Sequence, residues 1–129
     1  MKYEIKTLKL GNGIERLTII FEDSKLKPLH PFIVDDFSAF TQDYLETFDK
    51  VLSGEVERES ASGNACYFEA DKEKTFIEFL YPEDEDTRET CTVNTRELRS
   101  LMDEWVQKRT EFFKTHSKSN PPSRTNFRR

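Results

Sequence analysis

The sequence predicts an α+β domain, an antiparallel sheet of about five to six strands with two helices packed on one face. Two segments repeat apolar residues every three or four positions, which is the period of a helix. Several shorter segments alternate polar and apolar residues and are separated by turn residues, which is typical of strands. The connections are short enough for antiparallel pairing. The predicted order is β-β-α-β-β-β-β-α, and the uncovered sheet face would meet solvent or a partner.

The first elements form a predicted hairpin. Residues 2–10 alternate in polarity, and Gly11-Asn12-Gly13 then offers residues that tolerate positive φ. Residues 14–22 are rich in β-branched and aromatic side chains, which favour a second strand. Residues 23–31 include two prolines, so we expect a loop there.

The first predicted helix ends at Gly54, a residue type that commonly terminates helices. Asp35 and Asp36 are candidates for its N-cap. Its apolar stripe consists of Phe37, Phe40, Tyr44, Phe48, Val51 and Leu52.

The period then changes to two, which predicts four more strands. They span residues 55–62, 65–70, 75–81 and 89–93, with Gly63-Asn64 as the first turn between them. The second helix follows at once. Its apolar stripe consists of Leu98, Leu101, Met102, Trp105, Val106, Phe112 and Phe113, and we expect the tryptophan to be a core anchor.

The start of this second helix has the spacing of a capping box, in which two side chains satisfy each other's unpaired backbone N–H groups. Asn94 stands at the N-cap and Glu97 follows three residues later. The helix is therefore expected to begin directly after the last strand.

Composition predicts one domain over residues 1–116 and a disordered basic tail over residues 117–129. Leu, Ile, Val and Phe supply 32 of the 129 residues, enough for the body to fold, whereas the tail has one aromatic residue and two consecutive prolines. Residues 1–107 carry 13 Lys and Arg against 24 Asp and Glu, and residues 108–129 carry 7 against 1. An acidic body repels nucleic acid and attracts basic protein partners, although acidic surfaces also serve solubility alone.

The sequence favours a cytoplasmic protein that does not bind membranes. No apolar run approaches the ~20 residues that span a bilayer. Residues 1–6 lack the basic and then apolar plan of a secretion signal. Cys66 and Cys91 each lie in a predicted strand, so we expect reduced core residues and not a disulfide.

Few patterns indicate catalysis, and we expect no cofactor or metal. The histidines, His30 and His116, are far apart in the chain and have no cluster of ligands near them. Gly11-Asn12-Gly13 lacks the rest of any phosphate-loop spacing. Neither cysteine has an evident catalytic base, and no pair of carboxylates is singled out as an acid and base, so a carboxylate enzyme remains an alternative.

The candidate partner-binding residues are acidic and lie between the last two strands: Glu83, Asp84, Glu85, Asp86 and Glu89. Their spacing lacks the alternation and central glycine of a calcium loop. They would present an acidic patch to a basic partner, and the alternative is a solvated turn between strands.

Several segments together resemble small bacterial immunity proteins encoded beside polymorphic or contact-dependent toxins. They are Val51-Leu52-Ser53-Gly54-Glu55, Ser62-Gly63-Asn64-Ala65-Cys66, Thr75-Phe76-Ile77-Glu78, Cys91-Thr92-Val93-Asn94-Thr95-Arg96-Glu97-Leu98 and Asp103-Glu104-Trp105. The resemblance covers the middle and last thirds of the body and does not include the basic tail.

The resemblance implies a cytoplasmic inhibitor without enzymatic activity that binds one toxin domain and occludes its active site. If that toxin is a nuclease, its groove is basic, and an acidic protein can imitate the phosphate chain. The expected partner is therefore a basic toxin domain and not nucleic acid itself. A regulatory or scaffold module that uses an open sheet face is the second alternative.

Overall fold

The computed structural model describes residues 1–116, so the predicted tail over residues 117–129 lies outside the described residues. The α+β class is confirmed. Within residues 1–116 the strands and α-helices are β1 (Tyr3–Lys9), β2 (Glu15–Phe21), α1 (Leu29–Pro31), α2 (Thr41–Ser53), β3 (Arg58–Ser62), β4 (Cys66–Asp71), β5 (Lys74–Phe79), β6 (Glu89–Asn94) and α3 (Thr95–Thr115). None of these helices is long and apolar enough to cross a membrane.

The six strands divide into two antiparallel sheets. β3, β4, β5 and β6 pair in chain order, whereas β1 and β2 pair only with each other. A 3₁₀ turn at Ser24–Leu26 lies beside β6, the edge strand to which the first hairpin could otherwise have been added. The hairpin instead contacts α1 and the segment Phe32–Phe37 through β2, and Tyr3 bonds to Glu104 of α3.

One face of the four-stranded sheet is covered by α2 and α3, as the sequence predicts. The covering side chains include Phe48 from α2 and Leu98 from α3, both fully buried. The sheet residues beneath them are also buried: Cys66, Phe68, Ala70, Thr75, Ile77, Cys91 and Val93. Because alternate strand residues point to opposite faces, the remaining sheet side chains point away from the helices.

The first helical region differs from its prediction. The expected loop contains α1, and a π-helical turn, Phe32–Phe37, follows it. The π-helical turn begins after Pro31, which has no amide hydrogen to donate to an ordinary helical bond. The prediction of Asp35 and Asp36 as N-caps is wrong, because both lie inside this turn and Asp36 is fully buried.

The helix ends follow local chemistry. Gly54 ends α2 in the left-handed conformation with φ at 84°. The side chain of Asn94 caps α3 by accepting a hydrogen bond from Glu97 N at 2.9 Å. The Glu97 carboxylate does not complete the box but bonds to the Met1 amino group at 3.2 Å. Trp105 is the predicted core anchor, 3% exposed, with its indole N–H donating to Ser38 Oγ at 3.0 Å.

Candidate partner-binding surface

The acidic residues predicted to bind a partner lie at one end of the four-stranded sheet. β5 ends at Phe79 and β6 begins at Glu89, so residues 80–88 form the connecting loop. Glu83, Asp84, Glu85 and Asp86 are all exposed there. Within residues 1–116, none of these four carboxylates forms an ion pair. The loop therefore presents four uncompensated negative charges.

Asp84 has a structural role in addition to its charge. Its carboxylate accepts hydrogen bonds from Asp86 N and from Thr87 Oγ1, each at 3.0 Å. The Asp84 carbonyl also accepts a bond from Thr87 N at 3.0 Å. An aspartate that bonds to the backbone two residues later is a common way of fixing a turn. Asp84 shapes the loop, which leaves Glu83, Glu85 and Asp86 as its free carboxylates.

A two-pronged ion pair attaches the loop to the sheet. Arg88 Nε and Nη2 donate to the two carboxylate oxygens of Glu78 in β5, at 3.0 and 2.7 Å. The Arg88 hydrogen bonds hold the pKa of the Glu78 carboxyl below its usual range. This bidentate geometry fixes the orientation of the guanidinium group. The acidic loop thus has a defined position relative to β5.

Glu89 does not lie with the other four predicted residues. It is the first residue of β6 and has the same strand parity as the buried Cys91, so it points toward the helix side of the sheet. Its side chain is 22% exposed and lies 3.8 Å from Lys27 Nζ. The structure therefore brings Glu83, Asp84, Glu85 and Asp86 together and places Glu89 apart from them.

Sequence reasoning missed an exposed aromatic residue beside the acidic loop. Residues 80 and 81 were expected to continue a central strand, but β5 ends at Phe79, and Tyr81 is 68% exposed. The available signal was Pro82, which has no N–H to donate to a strand ladder. Tyr81, Glu85, Arg88 and Glu78 line an open groove of about 450 Å³. Tyrosine and arginine are enriched among the residues that dominate protein interfaces.

The cysteines do not offer a nucleophile. Both are buried and unbonded to each other, as predicted. Burial raises the pKa of Cys66 to about 12 and that of Cys91 to about 11. Both thiols are therefore protonated near neutral pH, and the reactive form is the thiolate. In the part of the chain described, no three His, Cys, Asp or Glu residues are placed to hold a metal ion.

A buried carboxylate that the sequence did not reveal holds the π-helical turn against the sheet. Asp36 accepts hydrogen bonds from Ala65 N at 2.9 Å and from Cys66 N at 2.8 Å. A side chain at Gly63 would meet this carboxylate and the Tyr44 hydroxyl. The Gly63-Asn64 turn thus needs its glycine because the Asp36 and Tyr44 side chains approach it closely.

Comparison with curated sequences shows that the chain is similar to a bacterial protein along most of its length. No protein-family model matches the chain, and no solved structure matches it. The relative is an immunity protein of Bacillus cereus, to which the chain is 29% identical over 116 residues. The alignment covers 90% of this chain and 94% of the relative, so the two proteins are similar over nearly their whole lengths.

Proposed function

We propose that the protein is an immunity protein that neutralises a bacterial toxin by binding it, without enzymatic activity of its own. The observation that carries this proposal is the similarity to the Bacillus cereus immunity protein over 90% of the chain. An inhibitor needs a stable scaffold and a complementary surface, and it needs no catalytic group. The protonated thiols of Cys66 and Cys91 agree with this interpretation.

We further propose that the toxin contacts the acidic loop and carries a basic surface there. The free carboxylates of Glu83, Glu85 and Asp86 are exposed and stand beside Tyr81. Opposite charges across an interface speed association and exclude partners of the wrong charge. A nuclease toxin would meet this requirement because its substrate groove must attract phosphate groups. Glu89 points toward the helices and lies near Lys27, so we place it at the edge of this interface and not at its centre.

The first experiment is to sequence the DNA that flanks the gene and to identify a neighbouring gene for a long protein with a small C-terminal domain. That C-terminal domain is then expressed in Escherichia coli with and without this protein. We expect growth to stop when the domain is expressed alone and to recover on co-expression. Continued arrest despite full expression of both proteins would reject the proposed function.

The loop is tested with the triple variant E83Q/E85Q/D86N, which keeps Asp84 and therefore the turn. The matched control, E46Q/E55Q/E57Q, removes three exposed charges elsewhere. Association rates with the toxin domain are measured by stopped flow at low and high salt. The loop variant should associate at least ~10-fold more slowly at low salt, because electrostatic steering raises association rates 10-fold or more. Equal rates for the loop variant and the control would remove the loop from the interface.

A further inference from the structure

The uncovered face of the four-stranded sheet has an ordered arrangement of aromatic and acidic side chains at its centre. Tyr67 and Glu69 lie on β4, and Phe76 and Glu78 lie on β5. In the strand register, Tyr67 is opposite Glu78 and Glu69 is opposite Phe76. All four side chains have the parity that points away from the helices. The two rings therefore occupy one diagonal of a square and the two carboxylates occupy the other; we call these four residues the platform.

The platform is held together by its own contacts and stays partly exposed. The Tyr67 and Phe76 ring centroids are 6.5 Å apart at an interplanar angle of 63°. The Tyr67 hydroxyl donates a hydrogen bond to Glu69 Oε1 at 3.4 Å. Each of the four residues is half-buried. Rings with this mutual support lose little further freedom when a partner covers them.

Short side chains border the platform on both sides. The register places Ser60 opposite Glu69 and Ser62 opposite Tyr67. On the other side it places Thr92 opposite Phe76 and Thr90 opposite Glu78. Two rows of residues thus cross the sheet from β3 to β6, namely Ser62, Tyr67, Glu78, Thr90 and Ser60, Glu69, Phe76, Thr92. Each row has a hydroxyl group at both ends and one ring and one carboxylate between them. This order matches the general plan of a protein interface, which has an apolar centre and a polar rim.

Two of the protein's own arginines already pair with the platform carboxylates. Arg58 lies 3.9 Å from Glu69, and Arg88 makes its two-pronged bond to Glu78. Both arginines sit at the margins, one on the edge strand β3 and one in the acidic loop. In the described part of the chain the one cation over an aromatic ring is Arg109, above Phe113, so neither platform ring has one.

We propose that the platform binds arginine or lysine side chains of a protein partner, each cation lying over an aromatic ring and joining the ion pair at the carboxylate beside it. This proposal rests on the proposed function and identifies the centre of the toxin interface. A loop of four acidic residues is too small for an interface of about 800 Å² per partner. Glu78 is shared by the platform and the groove beside the loop, so the two surfaces are continuous.

The test is an NMR titration of the ¹⁵N-labelled protein with a deca-arginine peptide at low salt. We expect the backbone amides of residues 67–69 and 76–78 to shift together with those of the loop. The variant Tyr67→Leu/Phe76→Leu keeps apolar bulk but removes both ring faces, and its Kd should rise roughly 5- to 20-fold. Phe113→Ala, which removes an exposed ring on α3, is the matched control and should stay within about 2-fold of the wild type. Tyr67→Thr/Phe76→Thr serves if the leucine variant does not fold.

Several results would overturn the platform proposal. Shifts confined to residues 83–86 would show that the loop alone binds cations. Equal shifts with deca-glutamate or a DNA oligonucleotide would show that the face does not select basic protein chemistry. Shifts that depend on the concentration of the protein itself, without peptide, would assign the face to a second copy of the chain. The titration uses no toxin. If the peptide binds the platform as expected but co-expression does not rescue growth, the proposed function is rejected and the platform proposal is not.

Discussion

Gly63→Ala is expected to destabilise the protein strongly although it adds a single methyl group. The new Cβ would lie 2.6 Å from Asp36 Oδ2 and 2.7 Å from Tyr44 Oη, and it would also meet Asp36 Cγ. Real Cβ atoms do not approach so closely, so the buried carboxylate must move. That movement weakens its bonds to Ala65 N and Cys66 N, each worth about 1.5–3 kcal/mol because the acceptor is charged. Overpacking adds about 1–3 kcal/mol.

If about half of the energy of the two bonds is lost, these costs together predict a loss of about 3–6 kcal/mol in the free energy of unfolding, measured by urea denaturation followed by circular dichroism. The lower flexibility of alanine in the unfolded chain offsets less than about 1 kcal/mol of this loss. Gly11→Ala is the matched control, because Gly11 has no positive φ and nothing lies within 4 Å of its added Cβ. A loss below about 1 kcal/mol for Gly63→Ala, with an unchanged denaturant slope, would refute the close-approach argument.

Three further predictions concern other parts of the fold. The pKa of His116 is raised because its ring bonds to Glu15 and to a backbone carbonyl. Its protonated form therefore stabilises the fold below pH 6.5, and this contribution is lost as the pH rises through the raised value. Glu15→Gln should cost more stability at pH 5.5 than at pH 8.5, and equal costs at the two pH values would contradict this. Trp105→Phe should lower the unfolding free energy by about 1.5–3 kcal/mol through a lost indole bond and a cavity, measured by urea denaturation. Cys66 and Cys91 should react with a thiol reagent in urea and stay unreacted for hours in the native protein, because both are buried and protonated; fast labelling of the native protein would contradict this.

The elements that sequence reasoning predicted well are those that local chemistry determines. Gly54 ends a helix because a glycine reaches φ 84° without strain. Asn94 begins one because its side chain can cap a backbone N–H. The division of the strands into two sheets has no such local signal, and the turn at Ser24–Leu26 that lies beside β6 comes from a distant part of the chain. The aspartates at 35 and 36 were misassigned because any helix start accepts an aspartate, whereas burial of Asp36 depends on the turn near Gly63.

The sequence showed that the candidate site is acidic, but it did not show which side chains lie together on one surface. A run of acidic residues is visible in the sequence, and Glu83 to Asp86 are indeed exposed in one loop. The separation of Glu89 depends on where β6 begins, because a shift of one residue would move its side chain to the other face. The exposure of Tyr81 depends in the same way on where β5 ends. Errors of one or two residues at strand ends therefore matter little for the fold but decide which residues belong to the candidate binding surface.

The two faces of the four-stranded sheet carry different sets of side chains. Core residues such as Phe68 and Ile77 alternate along their strands with the platform residues Glu69 and Phe76. A substitution on the uncovered face leaves the packing against α2 and α3 in place, and changes at exposed positions without ring contacts or ion pairs usually alter stability by less than about 0.5 kcal/mol. Loss of a ring or carboxylate there would instead change the complementarity to a partner. Under the proposed function, substitutions on this face would change the choice of partner and leave the core packing in place.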